Sequence, residues 1–379
     1  MTDVYSSFVL LGYATIVHLF LVNLVLGLTI LIPIMEFIYM KKNDENIKMI
    51  MRTLFKFMVV SDLFAGVWAT WITVFLGGFW PLLTFYATTV LFIPLTIALI
   101  GILIALPSIG VYWFTWDKIS EKWHFAIGIF MAIGATLVPV GFNMIFSFIN
   151  DPVGLNRALA GNLYAVFLNP LYPDFTLHRI FGGITMVSLL FTGIYIYNYN
   201  KKGQIIYKKG SELFLYVSFI SLLIESLFGF IYAWELNIHS EYLAQVLFGP
   251  FTSSSISVQM NMFPFFSLFM FLVGMLWLFL YINGFYFYKN KKSIYSPLIL
   301  SILSLITLPV GEFLNDYSRY PYMIITGDSG IPASLFINKI MEINDYWVIT
   351  AITISLILII VYIWLLYNII IKKRYVEEP

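Results

Sequence analysis

Residues 8–40 read FVLLGYATIVHLFLVNLVLGLTILIPIMEFIYM, a run interrupted by one acidic residue, Glu36, and one histidine, His18. A helix needs about 20 apolar residues to cross the hydrocarbon of a bilayer, so this stretch predicts a spanning helix with length to spare. It is too long for the apolar core of a signal peptide and lacks a small-residue cleavage site, which keeps it in the mature chain. Working outward, comparable runs separated by short polar punctuation lie at roughly 53–77, 86–115, 123–149, 174–199, 212–234, 262–288, 294–314 and 346–371. The expectation is an all-α polytopic membrane protein with nine transmembrane helices, forming a single transmembrane domain over 1–379 with no repeat of fixed period.

Composition agrees with that reading. Hydrophobic residues make up 60% of the chain and charged residues 11%, whereas a soluble domain has about a quarter of its residues charged. A mean hydropathy of +0.89 leaves too little polar surface to coat a water-soluble globule. The formal charge of +1, with no basic run outside short loops, excludes nucleic acid as a partner. The absence of cysteine removes disulfides, iron–sulfur clusters, thiolate metal sites, covalently attached c-type haem and cysteine nucleophiles. Any redox cofactor must then be held by His, Met or carboxylate.

Orientation follows from the basic residues, which collect in cytoplasmic loops. Every Lys and Arg except Arg157, Arg179, Arg319 and Lys339 falls on one side, in the loops around 41–56, 118–122, 201–209 and 289–292 and in the tail at Lys372, Lys373 and Arg374. This predicts an N-terminus outside and a C-terminus in the cytoplasm, as an odd number of spans requires. The connections 150–173, 235–261 and 315–345 on the lysine-poor side are the longer ones, and their Gly, Pro, Ser and Asn content marks them as irregular.

Four histidines are present, and an ionisable or metal-binding side chain inside a span is expensive enough to point to function. His18 lies about ten residues into the first span, roughly 15 Å below its outer end. His178 lies about one turn inside the fifth span and Met270 about two turns inside the seventh, so all three fall in the outer half of the membrane. Imidazole and thioether form the low-spin ligand set of a b-type haem, and Met raises the potential relative to two His. The same residues equally read as an interhelical hydrogen-bonder and as packing. His124 and His239 are expected at the interface or in solvent. Asp62 and Glu225, with no charged neighbour at helical spacing, are candidates for a proton path or for neutral interhelical hydrogen bonds. Glu36, Glu212 and Glu312 fall near predicted helix ends, where snorkelling accounts for them. Trp80, Tyr86, Trp113, Trp116, Trp123, Trp234 and Trp347 read as interfacial anchors, and Pro94, Pro107, Pro139 and Pro309 predict kinks.

The stretch HLFLVNLVLGLTILIPIMEFIYM at 18–40 resembles the first helix of subunit I of the cytochrome bd quinol oxidases, which opens on a haem-ligand His and ends in Met-Glu before a Tyr. Further landmarks follow in the family's order: GVW at 66–68, Trp80 fourteen residues before Pro94-Leu95, WDKISEKWH at 116–124, DPVG at 151–154, LNP at 168–170 followed by His178, Met270, and DYSRYPY at 316–322. The resemblance implies that His178 and Met270 are the axial pair of a low-spin haem b, that His18 ligates a high-spin haem, and that Arg319 pairs with a haem propionate. The departures are coordinated. The family's carboxylates on the third helix are replaced by Ala98 and by ALPS at 105–108. Its ligating Glu on the eighth falls at Pro309, with Glu312 three residues on, and its Gly-Arg-Gln-Pro-Trp element is reduced to Ser318-Arg319-Tyr320-Pro321-Tyr322. Its quinol-binding outer loop shrinks to 235–261 without a lysine.

The resemblance therefore implies a divergent subunit of a cytochrome bd-like respiratory quinol:oxygen oxidoreductase in the plasma membrane of a prokaryote. It binds one or two b-type haems and passes electrons, while its own oxygen and quinol sites, and with them haem d, are eroded. Its partner would be a catalytic subunit I homologue or a subunit II-like membrane protein, with quinol reached through the complex and lipid around it. The alternative is a haem-free scaffold that packs against a catalytic subunit I homologue. A transporter would call for intramembrane charge pairs or inverted repeats, which the spacing does not reveal.

Overall fold

The computed structural model describes residues 3–252, 256–338, 340–341 and 343–368. Lys339, Lys372, Lys373, Arg374 and the end of the ninth predicted run lie outside the described residues. Among those described, nine helices are long and apolar enough to cross a membrane. They are α1 (Asp3–Lys42), α2 (Glu45–Phe79), α4 (Phe92–Phe114), α5 (Glu121–Asn150), α7 (Leu171–Lys202), α8 (Ile205–His239), α10 (Phe263–Tyr288), α11 (Tyr295–Tyr317) and α12 (Asp345–Leu366). Short helices α3 (Pro81–Val90), α6 (Leu155–Leu159) and α9 (Glu241–Phe248) lie between them.

The third predicted run is not one helix. Pro94 has no N–H to give and its ring would collide with the carbonyl four residues back, so α3 ends at Val90 and α4 restarts after Leu91 with Pro94 in its first turn. Pro107, Pro139 and Pro309 sit inside continuous helices. The connection after α11 is a two-stranded antiparallel hairpin, β1 (Tyr322–Thr326) and β2 (Ser329–Pro332), turning at Gly327 with φ +69°. The fold is thus nearly all-helical, with one small sheet at the lysine-poor end. That hairpin packs Met323 and Ile324 on Phe8 and Trp80. Trp80, expected as an interfacial anchor, is fully buried there because the chain folds back over it.

Helices α1 and α7 form the centre and are the most enclosed of the nine. They meet through Gly27 and Gly183: a Cβ on Gly27 would stand 2.3 Å from the Gly183 carbonyl oxygen, so only glycine allows this approach. Around the contact the architecture repeats. α1 packs on α2 and α5, and α5 on α4; α7 packs on α8 and α11, and α11 on α10. α12 lies outside this arrangement, held to α2 by a 2.8 Å hydrogen bond between Tyr362 and Ser61 and to α1 by a 2.7 Å bond between Tyr13 and Ser355. A fixed period is absent from the sequence because only helix order and contact geometry recur.

Candidate functional site

The two central helices each carry a histidine with the same kind of partner, His18 on α1 and His178 on α7. On α1, His18 Nδ1 lies 3.0 Å from the Ala65 carbonyl oxygen of α2; on α7, His178 Nδ1 lies 3.1 Å from the Glu225 carbonyl oxygen of α8. Each pair is separated by 47 residues. A carbonyl only accepts, so both rings carry their proton on Nδ1 and leave Nε2 with a lone pair, the tautomer that suits a metal ligand. Gly229 on α8 makes room for the second ring: a Cβ there would stand 2.9 Å from His178 Cε1 and Nδ1.

Met270 is carried by α10, which touches α7. Its neighbour Phe269 abuts Gly311 of α11, and Arg179, next to His178, pairs with the following residue of that helix, Glu312. Met270 itself is 50% exposed, on the outward side of α10 and not in the packed core. The Glu225 carboxylate lies over Gly182, one turn beyond His178, with Oε1 3.2 Å from where a Cβ on that glycine would be. Asp62, half-buried on α2, is one turn from Ala65 and makes no hydrogen bond or ion pair with any described residue.

Arg319 is buried at the lysine-poor end of α11. Its Nη1 donates to Asn150 Oδ1 at 3.1 Å and to the Asn315 carbonyl at 2.6 Å, and its Nη2 lies 3.6 Å from Asp316. Asn150 in turn donates to the Tyr232 hydroxyl at 3.0 Å. Deeper in the same region Arg179 pairs with Glu312 between the rings of Phe146 and Phe175, 4.9 and 4.8 Å from its guanidinium carbon.

Several residues expected at surfaces are instead enclosed. His124 is 6% exposed and Glu36 3%; His124 Nδ1 lies 2.6 Å from Glu36 Oε1, and Tyr112 donates to Glu36 Oε2 at 2.9 Å. Burial between α1, α4 and α5 removes the water that the interfacial reading of His124 and the snorkelling reading of Glu36 both need. Glu312 is corrected in the same way, since Arg179 rather than solvent balances it. Enclosed pairs of ionisable groups therefore exist, joined across 88 and 133 residues where helical spacing cannot reveal them. His239 is at the surface beside Glu235, and Glu212 is exposed, as expected. The loop 235–261 borders an open cleft of about 380 Å³ with Gln245, Asn261 and Phe263 on its walls.

The donor set fits a haem in its chemistry. Two imidazoles offer Nε2 inside the membrane, and three buried donors make no hydrogen bond: Trp68 Nε1, one turn from Ala65, Asn143 Nδ2 and Arg319 Nε. Such donors are costly unless something anionic or polar completes them.

A family model described as cytochrome bd terminal oxidase subunit I matches residues 7–241. Cytochrome bd ubiquinol oxidase subunit 1 of Bacillus subtilis (strain 168) is 25% identical over 219 residues, covering 56% of this chain and 46% of that protein. The match therefore spans about half the length of that curated relative. The structure of bd oxidase from Geobacillus thermodenitrificans aligns over 98% of this chain and 99% of its own, with a TM-score of 0.79 at 18% identity. At that identity the likeness establishes the fold.

Proposed function

The chain belongs to the cytochrome bd terminal oxidase subunit I family, a set of multi-pass proteins of the prokaryotic plasma membrane, and we propose that it holds b-type haem in a quinol-oxidising, oxygen-reducing membrane complex. The observation that carries this reading is the paired geometry of His18 and His178, each with Nδ1 fixed by the backbone carbonyl of the next helix and Nε2 left free. His178 and Met270 would hold one haem and His18 a second. A haem so ligated supplies one-electron transfer, and Met in place of a second His sets its potential higher.

The chain's own residues orient and neutralise. The Ala65 and Glu225 carbonyls fix ring tautomer and direction. Arg319, with Nε unpartnered, offers a donor to a propionate. Glu225, one turn from His178 along Gly182, is placed to take up a proton when charge changes at that ring. In the complete complex two quinols and one dioxygen would give two quinones and two waters. Independent catalysis by this chain is not proposed, because Ala98 and Pro309 stand where the family resemblance asks for carboxylates. The partner would be a catalytic subunit I homologue or a subunit II-like protein, with quinol bound through the complex.

The half-exposed position of Met270 favours a second reading, a haem-free scaffold. A dithionite-reduced minus oxidised spectrum of the purified chain, with a pyridine haemochrome count, separates the two. A b-type band that is lost in Met270→Ala and His178→Ala supports haem ligation. A chain with no haem, unchanged in stability by His178→Ala, leaves the scaffold.

A further inference from the structure

The two halves of the architecture turn at the lysine-rich end of the bundle in the same way. Helices α1 and α7 each finish on a Lys-Lys pair, Lys41-Lys42 and Lys201-Lys202, and each passes through a left-handed residue, Asn43 (φ +51°) or Gly203 (φ +66°), into a helix of 35 residues. What surrounds the two lysine pairs differs. Beside α1 the positive charge is balanced within the chain: Lys48 lies 2.9 Å from Asp117, Arg52 pairs with the same carboxylate, Lys209 pairs with Asp44, and Glu45 stands next to Tyr39, whose hydroxyl donates to it at 3.4 Å.

Beside α7 it is not balanced. The Asn200 side chain donates to the Ser293 carbonyl at 2.7 Å and the rings of Tyr199 and Phe287 lie 5.7 Å apart, which brings the end of α7 against the link between α10 and α11. That link carries Lys289, Lys291 and Lys292, and it is held in place by the Lys289 N–H donating to the Phe285 carbonyl at 3.0 Å and the Lys291 N–H to the Tyr286 carbonyl at 2.8 Å. Exposed lysines of both segments thus gather at one corner, and among the described residues none of them pairs with a carboxylate. The sequence has no Asp or Glu from 197 to 211 or from 281 to 311. The C-terminal ends of α7 and α10 offset only about half a charge each. Leading away from the lysines, Leu278, Tyr281, Phe285 and Tyr288 are exposed along one stripe of α10, with the Tyr281 and Phe285 rings stacked 6.4 Å apart.

We propose that this corner, where α7 and α10 end and α11 begins, binds an anionic membrane phospholipid, with its phosphate among Lys201, Lys202, Lys289, Lys291 and Lys292 and an acyl chain along the α10 stripe. The stripe decides the source of the phosphate: a soluble anion needs the lysines alone, whereas a lipid also needs an apolar track that begins where the charge ends. Each lysine close to a membrane surface strengthens the attraction for anionic headgroups about fivefold. A general bias of Lys towards one side of the membrane would leave the two corners alike, and they are not. The proposal stands whether or not iron is bound.

The test places the full chain in phosphatidylcholine nanodiscs with and without tetraoleoyl cardiolipin, a phospholipid with two phosphates, and reads the retained lipid by native mass spectrometry. Wild type should retain cardiolipin in preference to phosphatidylcholine and melt at a higher temperature in its presence. Lys289→Gln, Lys291→Gln and Lys292→Gln together should cut cardiolipin affinity at least about tenfold and abolish the gain in melting temperature. The same loss of charge at the other corner, by Lys41→Gln, Lys42→Gln and Lys118→Gln together, should change affinity less than about twofold. Both triple variants should melt with wild type in phosphatidylcholine alone, because all six lysines are exposed and none pairs with a carboxylate. Equal retention of the two lipids by wild type, equal loss in the two triple variants, or a lysine-reactive cross-link in native membranes from Lys291 to a second protein chain would overturn the site. Displacement of cardiolipin by inorganic phosphate alone would overturn its lipid source.

Discussion

His124 and Glu36, 88 residues apart, share a proton across 2.6 Å in a site from which solvent is excluded. The other ring nitrogen, Nε2, lies 3.1 Å from the Tyr112 carbonyl oxygen, which can only accept, so Nε2 carries a hydrogen. The pair is then either imidazolium and carboxylate or imidazole and carboxylic acid, and it is neutral overall in both forms. It ties the lysine-rich ends of α1, α4 and α5 together, at the opposite end of the bundle from Arg319.

The cost of breaking this cluster should rank by what is left uncompensated. His124→Ala leaves the buried Glu36 carboxyl without its imidazole partner and should destabilise by about 3–5 kcal/mol. Tyr112→Phe removes one hydrogen bond to that carboxyl and should cost less, about 1–3 kcal/mol. Thermal or denaturant unfolding of the detergent-solubilised chain measures both, and equal effects would contradict the assignment.

The same cluster shows what the sequence could and could not disclose. The nine spans were legible because a crossing helix must be a long apolar run, and the runs are separated by polar loops. The apolar runs fall short of the helices where helix continues through polar residues: α8 begins at Ile205, seven positions before the apolar run at 212, and carries Lys208 and Lys209 in its first turns. His18 and His178 stand out because His is rare in a span, whereas Met270, one of fifteen Met, stands out only through the family resemblance. The partners that fix the two rings do not, since the Ala65 and Glu225 carbonyls belong to the backbone and leave no mark on residue type. Glu36 and Glu312 are buried where the sequence predicts helix ends open to water, for a related reason: position along a helix says nothing about which neighbour covers its end.

Gly229 tests the His178 site without touching a ligand. Gly229→Ala would bring a Cβ to 2.9 Å from two atoms of the imidazole, forcing the ring or α8 to shift. The expected result is a destabilisation of about 1–3 kcal/mol, together with a weakened or shifted b-type band. Gly110→Ala, with nothing within 4 Å of the new methyl, should change neither.

Outside the membrane, Asp44 gives the fold a pH dependence of known sign. It caps α2 by accepting from the Asn46 N–H, and a hydrogen bond from Lys209 of α8 holds its carboxyl below the ordinary value of 3.8. A carboxylate lowered on folding stabilises fully above its unfolded value, and the stabilisation is lost as pH falls through the folded value. Asn caps as well as Asp does, so Asp44→Asn isolates the charge. At pH 7 it should cost less than about 1 kcal/mol, and melting curves of the two proteins should converge as the pH is taken below 3.8.

Arg179 and Glu312 offer the sharpest separation of pairing from packing. The guanidinium is stacked between Phe146 and Phe175 while it pairs with Glu312, and both charged groups are buried. Arg179→Leu keeps apolar contact with the two rings but leaves the Glu312 carboxylate with only the more distant Arg319 to balance it, which should cost about 3–5 kcal/mol. Adding Glu312→Gln removes the uncompensated charge, so the double variant should be more stable than the first single one. Arg179→Lys should not be neutral, because an ammonium neither stacks as a plane nor forks towards a carboxylate. A double-mutant cycle by thermal unfolding reads the coupling directly. Since Arg179 adjoins His178, the b-type spectrum should change with the pair and recover in step with stability. Additive effects of the two substitutions would mean that the ion pair contributes nothing beyond the aromatic sandwich.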